Sequence, residues 1–327
     1  MATVTDDETQ KIADVVEDKS ARLSKKLIVV IHGWWSNPSK LANLKKLLEL
    51  KFPECEVDIT FDYSKRAGLF SHYKPDIIAR DLANHIHQLA QNHWQKIPKE
   101  FRPDHDLILV GHSIGALLIR SAFLLTAPDY LSDAPTSTQP PHWTKRIDRM
   151  VFLAAPNAGW ELTLRIILGR ITQGGGPFWN RVLRPLLFFW PLKFLLYNLG
   201  LRRVFKWGNF ILSFYRGDEF ITNLRIDAAL ATKNAARTDP NVKMPYTIFM
   251  RGAGDGYVNE EDYIDYAATS PTLCRYCELE DTGHYSIIEV ASSSPDLVLE
   301  TPDAIRDGSL RVYHRNLAGS GTEEKAV

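Results

Sequence analysis

Apolar residues along this chain fall into two alternating patterns. Lys26-Leu27-Ile28-Val29-Val30-Ile31 is a continuous run rich in β-branched residues, the mark of a parallel strand covered on both faces, and it ends in His32-Gly33-Trp34-Trp35. Asn37-Pro38-Ser39 then predicts the cap of a helix reaching about Leu50, with Leu41, Leu44, Leu47 and Leu48 on one face. Cys55 to Phe61 reads as the next strand, and Pro75 to Trp94 as a helix whose buried stripe is Ile78, Leu82, Ile86 and Leu89. A strand at 106–110, a helix from Ile114 to about Thr126 and strands at Ile147 to Ala154, Pro245 to Met250 and Cys274 to Leu279 continue the series. Strands that alternate with helices in this way predict an α/β fold built on a doubly wound, mostly parallel sheet.

The segments that break the alternation outline the domain. Residues 1–24 are a polar, acidic lead-in, the Pro-, Ser- and Thr-rich segment Pro128 to His142 is an exposed loop, and 318–327 is expected to be a disordered tail. Between the strands ending at Ala154 and beginning near Pro245 lie far more residues than one connecting helix needs. A single domain over 25–317 with an insertion at about 160–240 follows, and 327 residues with 45% hydrophobic composition suffice for its core.

Composition narrows the function. Lys+Arg and Asp+Glu balance at 39 each, which removes the global electrostatic case for nucleic acid. Cys55, Cys274 and Cys277 make neither a disulfide framework nor a zinc site, and Cys274-x-x-Cys277 lies in a strand-like run, so no metal is expected. Met1 to Asp18 has no apolar signal region, and a reducing cytoplasm is the expected location.

The candidate chemistry sits at strand ends, where open α/β sheets gather reactive groups. Leu107 to Val110 feeds Gly111-His112-Ser113-Ile114-Gly115, a G-x-S-x-G between strand and helix, in which Ser113 occupies a sharp strained turn and Gly111 and Gly115 keep neighbouring backbone clear. A serine hydroxyl is a weak nucleophile at neutral pH, so it needs a base and the base needs an orienting carboxylate. His284 follows the last strand and is preferred to His314. Asp255, in the glycine-flanked Gly254-Asp255-Gly256, is preferred to Asp262, Asp265 and Asp281. His32 and His112 read as packing and hydrogen-bonding residues that shape the loops, with His112 also a candidate at the substrate pocket. Trp35 is either a pocket wall or a packing residue.

Taken together, His32-Gly33-Trp34, Gly111-His112-Ser113-Ile114-Gly115, Ala155-Pro156-Asn157-Ala158-Gly159, Gly254-Asp255-Gly256-Tyr257-Val258 and Gly283-His284 resemble the lipase and esterase branch of the α/β-hydrolase superfamily over about residues 25–160 and 243–292. The resemblance implies an α/β-hydrolase sheet with an inserted, mainly helical cap. It also implies an oxyanion hole from the backbone N–H groups of Ile114 and Trp34, with Trp35 as the alternative second donor. Expected activity is cofactor-free hydrolysis of a hydrophobic acyl ester or lipid through an acyl-enzyme. Acyl transfer or thioester hydrolysis on the same triad is an alternative, as is a membrane-associated binding protein that has lost activity.

The insertion adds one expectation. Arg165, Arg170, Arg181, Arg184, Lys193, Arg202, Arg203 and Lys206 stand against Glu161 alone beside a stretch, Val182 to Leu201, dense in Leu, Phe, Trp and Tyr. Cations beside apolar surface suit a lid, or a peripheral contact of 160–206 with an anionic membrane, and Gly174-Gly175-Gly176 suits a hinge. The oligomeric state does not follow from the sequence.

Overall fold

The computed structural model describes residues 26–68, 71, 73–99, 102–127, 143–160, 209–238, 244–263, 265, 274–293 and 310–311. The expected lead-in, the 128–142 loop, the basic and apolar stretch from 161 to 206 with its triple glycine, His314 and the tail lie outside the described residues.

Seven strands form one sheet: β1 (Leu27–Ile31), β2 (Glu56–Asp58), β3 (Leu107–His112), β4 (Ile147–Leu153), β5 (Tyr246–Gly252), β6 (Cys274–Leu279) and β7 (Leu310–Arg311). Their order is β2-β1-β3-β4-β5-β6-β7, with β7 antiparallel to β6 and every other pairing parallel. From β1 the chain goes outward to β2 and then crosses back to β3 on the other side of β1. The carboxyl ends of β1 and β3 therefore flank the point where the winding reverses, the crevice in which such sheets hold ligands.

Helices α1 (Ala42–Lys51), α2 (Pro75–Lys96), α3 (Ile114–Thr126), α4 (Asn209–Leu212), α5 (Glu219–Thr238), α6 (Glu260–Tyr263) and α7 (Ser286–Ser293) complete the described elements. Strand side chains alternate between two cores, as the pleat requires. Leu27, Val29, Ile31, Leu107, Leu109 and Phe152 face α2, α3 and α5, whereas Ile28, Val30, Ile108, Val110, Val151 and Met250 face α1 and α7. Ile78, Leu82 and Ile86 fill the first core from α2 as the periodicity predicts, and Ala90 extends the stripe while Leu89 packs at its margin. The α1 stripe is narrower than expected, since Leu41, Leu44 and Leu48 are buried and Leu47 only partly so. Its Asn37 does cap, accepting from the Ser39 N–H at 3.0 Å, but the first turn, Pro38–Leu41, is a 3-10 helix.

Two elements differ from the sequence expectation. The strand expected over 55–61 is only Glu56–Asp58, because the Asp58 carboxylate accepts from the Thr60 N–H and hydroxyl and turns the chain out of the ladder. The two-residue β7 carries no period and was not expected. The described part of the insertion is helical, and Phe220, Ile221, Leu224, Ala228 and Ala231 of α5 pack into the first core, making α5 the crossover helix from β4 to β5. No described helix is long and apolar enough to cross a membrane.

Candidate active site

Ser113 stands between β3 and α3 with φ 54° and ψ −126°, a conformation that L side chains rarely adopt. Its N–H donates to the Leu153 carbonyl at 2.8 Å, so the turn is tied to β4. The turn is also crowded. A Cβ on Gly115 would come 2.7 Å from the Ile31 carbonyl oxygen of β1, and one on Gly111 would strike the backbone at Ala116.

The loops after β5 and β6 bring the other two groups to this point. Gly254 N–H donates to the Thr282 carbonyl at 2.9 Å and Ala253 N–H to that of Leu279 at 2.9 Å, lacing the loops together. Asp255 Oδ1 accepts from the N–H groups of Tyr257 (2.8 Å) and Val258 (3.1 Å), which leaves Oδ2 for His284 Nδ1 at 2.9 Å. On the far side of the imidazole, Nε2 lies 3.0 Å from Ser113 Oγ. With Nδ1 donating to the carboxylate, Nε2 is the acceptor and the serine hydroxyl donates. All three residues are buried. Burial alone would raise the pKa of Asp255; its hydrogen bond from His284 and those from the two backbone N–H groups outweigh burial and hold the carboxyl below its ordinary range.

The rival carboxylates are engaged elsewhere. Asp262 is ion-paired with Arg216, whose Nε lies 2.9 Å away, Asp265 is buried between Arg120 (3.3 Å) and Arg225 (3.2 Å), and Asp281 is exposed at the turn after β6.

Ile114 is the first residue of α3, so its N–H has no intrahelical partner and lies at the positive end of the helix. The loop after β1 passes directly over Ser113: a Cβ on Gly33 would lie 3.0 Å from Ser113 Cβ and 2.7 Å from His112 Nδ1. Trp34 follows at once, its indole N–H donating to the Ala67 carbonyl at 2.7 Å, and it stacks on Trp35 with centroids 4.1 Å apart. Trp35 is 54% exposed.

His112 is buried, with Nε2 2.8 Å from the His284 carbonyl, and so it joins the elbow, the Gly33 loop and the histidine loop. Burial is the largest reason that its pKa falls to about 3, and the neighbouring His284 adds to the effect, so it is neutral at physiological pH. His32 is buried too. Its Nδ1 bonds the Gly33 carbonyl (2.8 Å), its ring stacks on Tyr63 at 4.3 Å, and the Tyr63 hydroxyl donates to the His32 carbonyl (2.8 Å). Sequence reasoning missed Tyr63 and the neighbouring Asp62, 3.4 Å from His32 Nε2, because both sit just past a strand read as too long. It also missed Tyr257 and Tyr285, whose rings lie 5.0 and 5.2 Å from that of His284. Burial pushes the Cys277 thiol up to about 11, the opposite of a reactive thiolate. Among the described residues no group of three His, Cys, Asp or Glu is arranged to hold a metal ion.

The model of the alpha/beta hydrolase family matches residues 28–301, which contain the whole of this constellation. The chain belongs to that family. No curated protein sequence matches it. Among solved structures, it is similar to the phospholipase PlaB from Legionella pneumophila at 12% identity and a TM-score of 0.41, over 73% of this chain and 44% of that one. A hydrolase from Oleispira antarctica aligns at 13% identity with a TM-score of 0.47, over 84% of this chain and 92% of that one. The thioesterase domain from the curacin biosynthetic pathway aligns at 16% with a TM-score of 0.42, covering 85% and 92%. The chain thus spans less than half the length of the Legionella phospholipase.

Proposed function

We propose that this α/β-hydrolase is a serine-dependent hydrolase of hydrophobic carboxylic esters that works through an acyl-enzyme. One observation carries the reading: His284 bonds Ser113 Oγ through one ring nitrogen and Asp255 through the other. Ser113 Oγ attacks the ester carbonyl while His284 Nε2 takes its proton, and the imidazolium so formed is stabilised by the Asp255 carboxylate. The negative charge on the carbonyl oxygen is received by the N–H of Ile114 and by that of Trp34 or Trp35, each such donor contributing about 3–4 kcal/mol to transition-state binding. His284 then returns the proton to the departing alcohol, and water repeats the sequence on the acyl-enzyme.

The apolar character of the substrate is supported by Trp34 and Trp35 beside the serine and by the composition of the insertion. A nitrophenyl ester series tests the reading: a burst of nitrophenol equal to the enzyme present, followed by slower turnover, is expected, with longer acyl chains favoured. Turnover without Ser113 would overturn it. Contact of 160–206 with an anionic membrane surface is a separate proposal that rests on sequence. Replacing Arg202, Arg203 and Lys206 by Gln should weaken binding to anionic vesicles by roughly 3 kcal/mol at most and leave neutral vesicles unaffected.

A further inference from the structure

Three indoles meet where the loop after β1 faces the start of the insertion. Trp34 stacks on Trp35 and meets the edge of Trp160, with centroids 5.9 Å apart and planes at 77°. Trp34 is fixed by its bond to Ala67, and Trp160 by its backbone bonds to Phe214 (3.0 Å) and Arg216 (3.1 Å). This wall adjoins the nucleophile, because Trp34 directly follows the glycine that packs against Ser113.

Two features of the wall are costly to the folded chain on its own. Trp35 adopts φ 57°, a left-handed conformation unfavourable for a bulky side chain, and the residue is more than half exposed to water. Trp160 is 5% exposed, yet among the described residues its indole N–H has no hydrogen-bond partner. A buried donor without an acceptor is destabilising, and a bound acceptor removes that penalty. An exposed aromatic plate and a buried N–H joined through Trp34 in one wall suit a ligand group that is apolar over most of its surface and carries one acceptor.

We propose that Trp34, Trp35 and Trp160 form a recognition subsite, and that it selects esters whose non-reacting end is apolar but bears one uncharged acceptor oxygen, as a ketone, ether or second ester does. The indole N–H of Trp160 donates to that oxygen, and the Trp34–Trp35 stack covers the flanking methylenes. This rests on the ester-hydrolase reading above and deepens it.

The test is an ether walk. In a set of nitrophenyl esters of equal chain length, each member has a different methylene replaced by oxygen, and kcat/KM is compared with that of the all-carbon ester within each variant. One oxygen position should exceed its neighbours by about tenfold in the parent, the ratio that a single buried and otherwise unsatisfied donor supports. Trp160→Phe, which keeps a ring and loses the donor, should flatten that peak; Trp160→Tyr, which moves the donor, should shift or abolish it. A smooth trend in the parent, or a peak that survives in either variant, overturns the proposal. Calorimetric binding of the matching amides, which need no turnover, should peak at the same position in the parent and flatten in Trp160→Phe. Esters left intact while the amides show that peak would count against the hydrolase reading alone. Esters hydrolysed without a peak would count against the subsite alone.

Discussion

The two edges of the sheet are built on opposite principles. At the amino edge, charges are matched around a buried carboxylate and partly buried partners: Asp106 accepts from Arg146 at 3.0 and 2.7 Å and from the Trp94 indole at 2.8 Å, while Lys26 pairs with Asp148 at 2.9 Å. Backbone bonds from Leu27 to Asp106 and from Asp106 to Arg146 extend the ladder there. At the carboxyl edge the chain is strained. Trp35, Ser113, Ala154 and Asp281 are the non-glycine residues with left-handed φ among those described, and they follow β1, β3, β4 and β6. Each costs about 1–2 kcal/mol relative to an ordinary conformation. One edge holds the fold, and the other spends part of that stability on placing Ser113, Asp255 and His284.

Substitutions should therefore separate rate from stability. The largest effect is expected at the carboxyl edge: Ser113→Ala should lower kcat by roughly 10⁴- to 10⁶-fold, and Asp255→Asn by up to about 10⁴-fold, with melting temperatures close to that of the parent. Steady-state kinetics beside thermal melts check both numbers. Asp106→Ala inverts the pattern. It strands Arg146 and the Trp94 N–H, and denaturant titration should show a loss of about 3–5 kcal/mol, while kcat of the folded fraction stays near the parent value.

A smaller effect distinguishes crowding from composition. Gly115→Ala drives a methyl into the carbonyls of Ile31 and His32 at the end of β1 and should cost about 1–3 kcal/mol, whereas Gly68→Ala, with open space around it, should be near neutral. Equal stabilities of these two variants would contradict the close packing of elbow against β1.

The pH dependence is the gentlest probe. An unfolded histidine takes up a proton near 6.5, but the folded chain keeps His112 neutral down to about 3. Stability supplied by neutral His112 is therefore complete above 6.5 and lost as pH falls towards 3. The Asp255 carboxyl, lowered by folding, contributes above its unfolded value of 3.8 and loses that contribution as pH falls through its folded value, so the His112 loss begins at the higher pH. Stability of His112→Asn should fall less steeply than that of the parent between pH 6.5 and 3; parallel curves would show that His112 charges readily in the folded chain.

Much of this layout was legible because it is local. Strand runs, the Asn37 cap, the α2 stripe and the glycines around Ser113 are set by neighbours within a few residues, and period and turn chemistry expose them. The separation of Asp255 from Asp262 and Asp265 was less legible, since Arg216 lies 46 residues from Asp262 and Arg120 lies 145 from Asp265. No sequence pattern reveals which carboxylate a distant arginine will occupy. The Tyr63 brace on His32 and the Trp160 N–H, unpartnered among the described residues, are likewise products of packing between distant segments. Asp58 hid for another reason: its side chain competes with the ladder for Thr60, and an apolar pattern carries no trace of that competition.

The proposed chemistry makes Ser113 a nucleophile activated by His284 and Asp255. Its most direct test is exposure of the folded parent to a fluorophosphonate, in which phosphorus becomes bonded to the serine oxygen as fluoride leaves, followed by mapping of the modified peptide. One adduct per chain is expected, on Ser113, forming orders of magnitude more slowly in His284→Ala. A folded parent that stays unlabelled, or an adduct at any other residue, would contradict it.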